Sequence, residues 1–327
     1  MTASADAPLV SAILPAFDAA PYVAEAVRSA LAQTHPRLEL VAVDDGSSDG
    51  TGEALDALAR EWAGEGRRMV ARRQPNAGAA AARNAALALA SGEILVFLDA
   101  DDRWHPDLVA RLVAALGDPG ATLALPRWRY IDAEGRPIGL ETAPEGRFGR
   151  ADLLGDNPVH SATGVALRRE AAERAGGFDP TLRACIDLDL WVRALGREGA
   201  AVVAPGAWAD YRRRPGQITG DWRRMERAWT RVHEKLGQRG EGLERAALAR
   251  ARGRAALFWS AAAYEAGDHA AARRLVAECW RRDPVWALGR PDARLRALAA
   301  GATLLPRPWH DAVRARFNAR RGGRATP

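Results

Sequence analysis

Three carboxylates fall within four positions at Asp99, Asp101 and Asp102, directly after the apolar run Ile94–Leu98. Such a run, ended so abruptly, reads as a strand buried on both faces, as in the middle of a parallel sheet. In open α/β sheets the carboxyl end of a strand is where ligands bind. Asp99 and Asp101 lie two apart, so in an extended segment they point the same way. Carboxylates held so close repel one another unless a cation sits among them, and hard oxygen ligands suit Mg²⁺ or Mn²⁺. The plainer alternative is a solvated acidic turn, with Asp102 or Trp104-His105-Pro106 near the start of a helix.

The elements that must position these residues follow a β-α rhythm. Val10–Leu14, Leu38–Val43, Met69–Arg72 and the run from Ile94 read as strands. Between them, Val23, Ala26, Val27, Ala30 and Leu31 recur at helical spacing, as do Leu55, Leu58 and Trp62, and Ala79–Ala90 is an alanine-rich helix. Strands alternating with amphipathic helices predict an α/β fold with a parallel, doubly wound sheet. Further on, Pro106–Leu116 reads as a helix, Ala121–Leu125 and Thr163–Leu167 as strands, and Asp187–Leu195 as a helix. Residues 132–160 are rich in Gly and Pro and read as a long loop lining a site. From Asp221 the pattern is helical throughout. Ala255–Pro284 suggests an antiparallel pair turning at Gly267-Asp268, without a second copy at a fixed period.

The charge is unevenly placed. Residues 1–220 hold 24 of the 47 basic and 30 of the 41 acidic residues, a net of −6, and residues 221–327 carry a net of +12. The change marks a boundary near Gly220, dividing a domain of residues 1–220 from an Arg-rich helical region of 221–327. The basic region reads as a solvated face or as a peripheral membrane or polyanion contact. No nucleic-acid partner is expected. Two distant cysteines, Cys185 and Cys279, fit neither a disulfide framework nor a zinc site. With no secretory pattern near Met1–Leu9 and no membrane-length apolar segment, the expected address is the cytoplasm, with the membrane's inner face as an alternative. The tryptophan pairs Trp222/Trp229 and Trp280/Trp286 read as core packing or an aromatic interfacial face.

Five blocks carry a resemblance. Ser11–Asp18, Val43–Thr51, Asn76–Gly78 with Ala82-Arg83-Asn84, Leu98–Asp102, and Gly176–Asp179 with Asp187–Arg193 resemble, in order, the signature of the family 2 glycosyltransferases. The resemblance implies a GT-A fold, mostly parallel and Rossmann-like, with a nucleotide-diphosphate sugar donor, most often a UDP-sugar, and a divalent cation, Mg²⁺ or Mn²⁺. Carried over by position, Pro15 and Phe17 line the nucleoside pocket, Asp45 accepts a hydrogen bond from the base, and Arg83 lies near the donor. Asp99 binds the ribose side, Asp101 ligates the metal and Asp187 is the general base. The acceptor stays open among glycans, lipid-linked glycans, proteins and small molecules. One base without a covalent step predicts inversion at the anomeric carbon.

Two departures from the family pattern stand out. Ile186 occupies a position that is usually acidic, which leaves Asp187 or Asp189 to serve. The segment Tyr211–Gln217 has arginines where a histidine is frequent; they read as a lid on the diphosphate or as a basic loop. Simpler roles exist for several of these residues: a turn or cap for Asp44 and Asp45, a surface position for Arg83, and a helix cap for Asp187. Two rival functions are a catalytically degenerate domain serving as a scaffold and a dehalogenase-type phosphatase. The second lacks a suitable lysine, because Lys235 is the only one.

Overall fold

Apolar runs and one-sided helices alternate along the first hundred residues, and each run becomes a strand of one sheet. The computed structural model describes residues 7–62, 68–142, 145–155, 157–214, 217, 221–239 and 245–289. Strands β1 (Val10–Ala16), β2 (Leu38–Asp44), β3 (Arg68–Arg73) and β4 (Ile94–Phe97) are joined by helices α1 (Val23–Leu31), α2 (Thr51–Glu61) and α3 (Ala79–Leu89). β2 and β4 are buried at every residue, so both of their faces need apolar side chains. α1 buries Val23, Ala26, Val27, Ala30 and Leu31, the stripe that its spacing predicts.

β1 runs parallel to β2 on one side and to β4 on the other, and β2 runs parallel to β3. The chain therefore leaves β1 in one direction and returns on its opposite flank. That reversal makes the carboxyl ends of β1 and β4 the natural binding crevice.

Beyond β4 come β5 (Arg103–Trp104), α4 (Leu108–Ala115), β6 (Ala121–Ile131), β7 (Pro137–Thr142), β8 (Arg147–Phe148), α5 (Arg150–Gly155), β9 (Ala166–Arg168), α6 (Arg169–Arg174), α7 (Ile186–Leu195) and β10 (Ala200–Arg212). The sheet order is β3-β2-β1-β4-β9-β6-β10-β5, with β7 beside β6 and β8 beside β10. β9 is antiparallel to β4 and β6, whereas β6 and β10 are parallel. The α/β class holds: the sheet, expected to be mostly parallel, is parallel in its first half and mixed in its second.

Two local readings change. Residues 132–160 are not one loop: the chain turns at Gly135, whose φ is +84°, and returns as β7 antiparallel to β6, followed by β8 and α5. β6 runs on past Leu125 to Ile131, and its partner β10 was not expected at all. Pro126 offers β6 no N–H there. Across from it β10 bulges, the register passing from Val203↔Leu125 to Trp208↔Arg127.

The chain divides into two compact units, residues 1–150 with 159–215, and 151–158 with 216–327. The second contains α8 (Trp222–Arg239), α9 (Arg245–Glu265), α10 (His269–Arg282) and α11 (Pro284–Gly289). α9 and α10 form the expected antiparallel pair. Ala263 and Tyr264 cluster with Ala272 and Leu275 near the turn, and Gly253 packs against Cys279 and Arg282 at the far end. Asp268 caps α10 by accepting the Ala271 N–H at 3.0 Å. Trp229 is buried, and Trp222, Trp280 and Trp286 pack against small apolar clusters, which supports the core reading of these residues. Residues 290–327, also expected to be helical, lie outside the described residues. Both cysteines are free. Among the described residues, no helix is long and apolar enough to cross a membrane.

One buried charge network fixes the second half of the sheet. Asp210 of β10 accepts from Arg103 Nε at 2.6 Å and Arg129 Nε at 2.9 Å, and it lies 3.0 Å from His105 Nε2. Burial alone raises its pKa, but the bonds from His105, Arg129 and Arg103 outweigh that and hold the carboxyl well below its ordinary value. A carboxylate depressed in this way adds stability above its unfolded pKa of about 4 and loses it as pH falls toward the native value. Asp210→Asn is expected to cost about 2 kcal/mol at pH 7, with the arginines' partial exposure tempering the loss. In urea titrations, the gap between variant and parent closes as pH falls below about 4.

Candidate functional site

The loops at the carboxyl ends of β1 and β2 hold each other. Asp18 N–H donates to Ser47 Oγ, Ser48 N–H to Asp18 Oδ1 and Ala20 N–H to Asp49 Oδ2, each at 2.9 Å. Asp44 takes the turn role: it is buried, accepts the Ser47 N–H at 3.1 Å and pairs with Arg73 Nε at 3.1 Å. Asp45 is 3% exposed, and its carboxylate accepts Gln74 Nε2 at 2.8 Å, the Ala77 N–H at 2.9 Å and the Gly78 N–H at 2.8 Å. It thereby pins the turn before α3 to the end of β2. Gly46 is needed beside it, because its φ is +79° and a Cβ there would lie 2.8 Å from the Asn76 nitrogen. Pro15 is half-buried at the end of β1, and Phe17 is 49% exposed just beyond it.

The three carboxylates after β4 have separate fates. Asp102 does not start a helix. It is buried, accepts Thr163 Oγ1 at 2.5 Å and the Arg212 N–H at 2.7 Å, and so ties β4 to β10. Burial and the charges of Asp101 and Asp99 raise its pKa well above the ordinary carboxylate range. Asp99 pairs with Arg83 Nη2 at 2.5 Å, and its N–H donates to Thr163 Oγ1 at 3.1 Å. Burial raises the Asp99 pKa; Arg83 opposes this, while Asp101 and Asp187 add to it. Asp99 thus lies within electrostatic reach of both Asp101 and Asp187. Arg83 is itself buried and lies 5.6 Å from the Phe178 ring centre, so its guanidinium acts through Asp99.

Asp101 meets an arginine. Its Oδ2 accepts from Arg214 Nε at 2.8 Å, and its carbonyl accepts from Arg212 Nε at 2.6 Å. Burial works against the charge on Arg214, but the Asp101 carboxylate outweighs it and the pKa is raised. Of the two readings for the Tyr211–Gln217 arginines, neither covers Arg212, whose side chain is buried and bonded to Glu25 Oε2 and to the Asp132 and Ala133 carbonyls. Arg213 lies over the Tyr130 ring, 4.7 Å from its centre.

Asp187 arrives from the other side of the crevice. α7 begins abruptly after Cys185, whose φ is +53°, and Asp187 sits half-buried in its first turn. Asp189 does not share that opening. It is fully buried and pairs with Arg193 Nε at 2.9 Å, and Arg193 also donates to the Ala175 carbonyl and, at 2.8 Å, to the Gly177 carbonyl. The turn at residues 175–178 is thus latched to α7 from below. From above, Asn84 of α3 donates to the Phe178 carbonyl and accepts its N–H, both at 2.8 Å. Phe178, Phe97 and Trp191 pack edge to face beneath, with centroids 5.0–6.3 Å apart. Asn84, Thr163 and Arg214 carry positioning work that no local pattern assigned to them.

Does this corner suit a divalent cation? Its donors are hard carboxylate oxygens at a point where like charges already raise the Asp99 pKa, and a cation would relieve that repulsion. Among the described residues, no three such side chains are grouped as a ready cage. The residues fit a cation held by Asp101 together with oxygens from a ligand's phosphates, the arrangement that Mg²⁺ prefers.

The sequence matches the model of glycosyl transferase family 2 over residues 11–176. The chain belongs to this family. It is an α/β glycosyltransferase. A Bacillus subtilis protein named for teichuronic acid biosynthesis, TuaG, is 30% identical over 225 residues, covering 68% of this chain and 86% of that one. Two other curated relatives match over 54% and 59% of their own length. Among solved structures, S. aureus TarS 1–349 in complex with UDP-GlcNAc has a TM-score of 0.64 at 18% identity, covering 98% of this chain and 93% of that one. The mannosyltransferase PcManGT of Pyrobaculum calidifontis, in complex with GDP-Man and Mn²⁺, has a TM-score of 0.58 at 24% identity, covering 96% and 86%. These likenesses establish the fold as GT-A type.

Within this transferase, the Asn84 clamp is the link from α3 to the turn that leads to Asp187. Asn84→Ala removes two hydrogen bonds and is expected to lower stability by about 2 kcal/mol in denaturant titrations, without a change in m-value.

Proposed function

We propose that the enzyme transfers a sugar, with inversion, from a nucleoside-diphosphate donor to an acceptor hydroxyl, with Asp187 as the base and Asp101 as the residue toward a divalent cation. The observation that carries this reading is that Asp99, just past β4 at the reversal point of the sheet, feels the charges of both Asp101 and Asp187. Two of the three have a cation beside them, Arg83 for Asp99 and Arg214 for Asp101. Among the described residues, no basic side chain pairs with Asp187.

In the proposed step, an oxygen of the acceptor bonds to the anomeric carbon as the bond from that carbon to the diphosphate oxygen breaks. The hydroxyl proton passes to Asp187, and the nucleoside diphosphate departs. A divalent cation, Mg²⁺ or Mn²⁺, when bound, offsets the charge that grows on the departing diphosphate. Pro15 and Phe17 supply the apolar floor for the nucleoside. Asp45 reads the base from Oδ2, which carries one bond in contrast to the two on Oδ1. Asp99, presented by Arg83, serves the ribose. A single displacement with one base inverts the anomeric centre.

UDP-GlcNAc and GDP-Man in the structural neighbours support a nucleotide-sugar donor, and we take a UDP-sugar as the leading candidate. The name of TuaG supports a cell-surface polysaccharide as the acceptor class. The transfer chemistry is assigned to about residues 1–220.

A panel of nucleotide sugars scored by melting shift with Mn²⁺ tests the donor. One donor is expected to stabilise the enzyme only with metal, and Asp101→Ala to remove that shift. Asp187→Ala is expected to keep the shift while nucleoside diphosphate release with acceptor falls by about 10²–10⁴-fold. Full turnover in Asp187→Ala would reject the base. A scaffold without catalysis would release no nucleoside diphosphate in any variant.

A further inference from the structure

Arg214 stands where a cation is wanted. We infer that it is an internal counter-ion for Asp101 that must leave before a divalent cation enters, so that metal binding is made conditional on the donor's diphosphate; this rests on the function proposed above.

The geometry is specific to Arg214. Its Nε lies 2.8 Å from Asp101 Oδ2. A guanidinium and a divalent cation at the same carboxylate repel each other strongly, because both are fully charged and the site is partly shielded from water. One of them must go. Arg212, two residues earlier, cannot play this part. Its side chain is 2% exposed, its Nε holds the Asp101 carbonyl, its Nη1 holds the Asp132 and Ala133 carbonyls, and its N–H holds Asp102 Oδ1. These bonds fix where β10 ends relative to Asp101 and bring Arg214 within reach. Arg214 is 32% exposed and so retains room to move.

The move has a direction. The Arg214 guanidinium already lies 5.8 Å from the ring centre of Tyr22, which follows the Pro15–Phe17 segment at the nucleoside side. A diphosphate bound at that side offers the guanidinium a doubly charged partner in place of one carboxylate. The same diphosphate contributes the oxygens that a cation at Asp101 still lacks. Donor binding therefore frees the carboxylate and completes the cation's shell in one event. By linkage, the nucleotide tightens the cation and the cation tightens the nucleotide by the same factor.

The experiment measures Mn²⁺ binding to the full chain by electron paramagnetic resonance of free Mn²⁺, with and without UDP. Parent, Arg214→Gln, Arg214→Lys and Asp101→Asn are compared. The parent is expected to bind Mn²⁺ weakly alone and about tenfold or more tighter with UDP. Arg214→Gln is expected to bind Mn²⁺ alone about fivefold tighter than the parent, and UDP to tighten it by a correspondingly smaller factor, since the phosphate oxygens still complete the shell but no longer have a competing charge to displace. Arg214→Lys keeps a cation and is expected to stay near the parent. Unchanged Mn²⁺ affinity in Arg214→Gln, or an undiminished effect of UDP in it, overturns the inference. If Asp101→Asn weakens the Mn²⁺–UDP complex at the same time, the proposed function survives that failure. If Asp101→Asn binds both as the parent does, the metal assignment falls and the inference with it. Melting temperatures of the variants check that each is folded.

Discussion

Like charges crowded at the end of one buried strand are the constraint around which this enzyme is built. Asp99, Asp101 and Asp102 follow β4 without a break, and Asp187 enters the same field. Left alone they would repel and destabilise the loop. The fold answers each one differently. Asp102 is withdrawn into the interior and given hydrogen-bond donors. Asp99 receives a buried arginine, and Asp101 a partly exposed one. The graded treatment separates a carboxylate that builds the sheet from those that remain at the crevice.

α3 joins the two sides of the crevice. Arg83 and Asn84 are adjacent in sequence, so they leave the helix about 100° apart. Arg83 turns to Asp99, and Asn84 turns to the Phe178 backbone. A shift of this helix would move both. Its N-terminus is in turn held by Asp45 through the Ala77 and Gly78 N–H groups. Motif blocks that lie far apart in sequence thus join into one rigid body. The small residues of α3 serve that packing, since Ala80, Ala82 and Ala86 are buried.

The first half of the sheet was legible in the sequence because β1, β2 and β4 are short, largely apolar runs closed by polar residues. Even β3 keeps Met69, Val70 and Ala71 together between its arginines. β10 was not, because Pro205-Gly206 interrupts it where it bulges opposite Pro126. β7 and β8 were hidden by Gly and Arg content, and only pairing with longer strands makes them strands. At the site, the carboxylates were visible as types and spacings. Their partners were not: Arg214 reaches Asp101 across 113 positions and Arg212 reaches Asp102 across 110. Periodicity carries no information at that range. The role of Asp102 was hidden for the same reason, since it is set by β10 and Thr163.

The far strand is as much a part of the site as β4. Asp210, Arg212 and Arg214 are spaced two apart as β10 leaves the sheet, and each bonds within the same region. Asp210 gathers Arg103, Arg129 and His105; Arg103 and Arg212 share Glu25 of α1; Arg214 ends on Asp101. This sequence of a carboxylate followed by two arginines faces a sequence of carboxylates at the end of β4, so the two ends fit only in one register. Sliding β10 by two residues one way would set Asp210 against the acidic corner, and sliding it the other way would put Arg212 beside Arg103 and Arg129, so either slip is unfavourable. Charge therefore fixes the register where the bulge has already loosened the hydrogen-bond ladder. The arginine at the end of this line is 32% exposed, against 2% for Arg212.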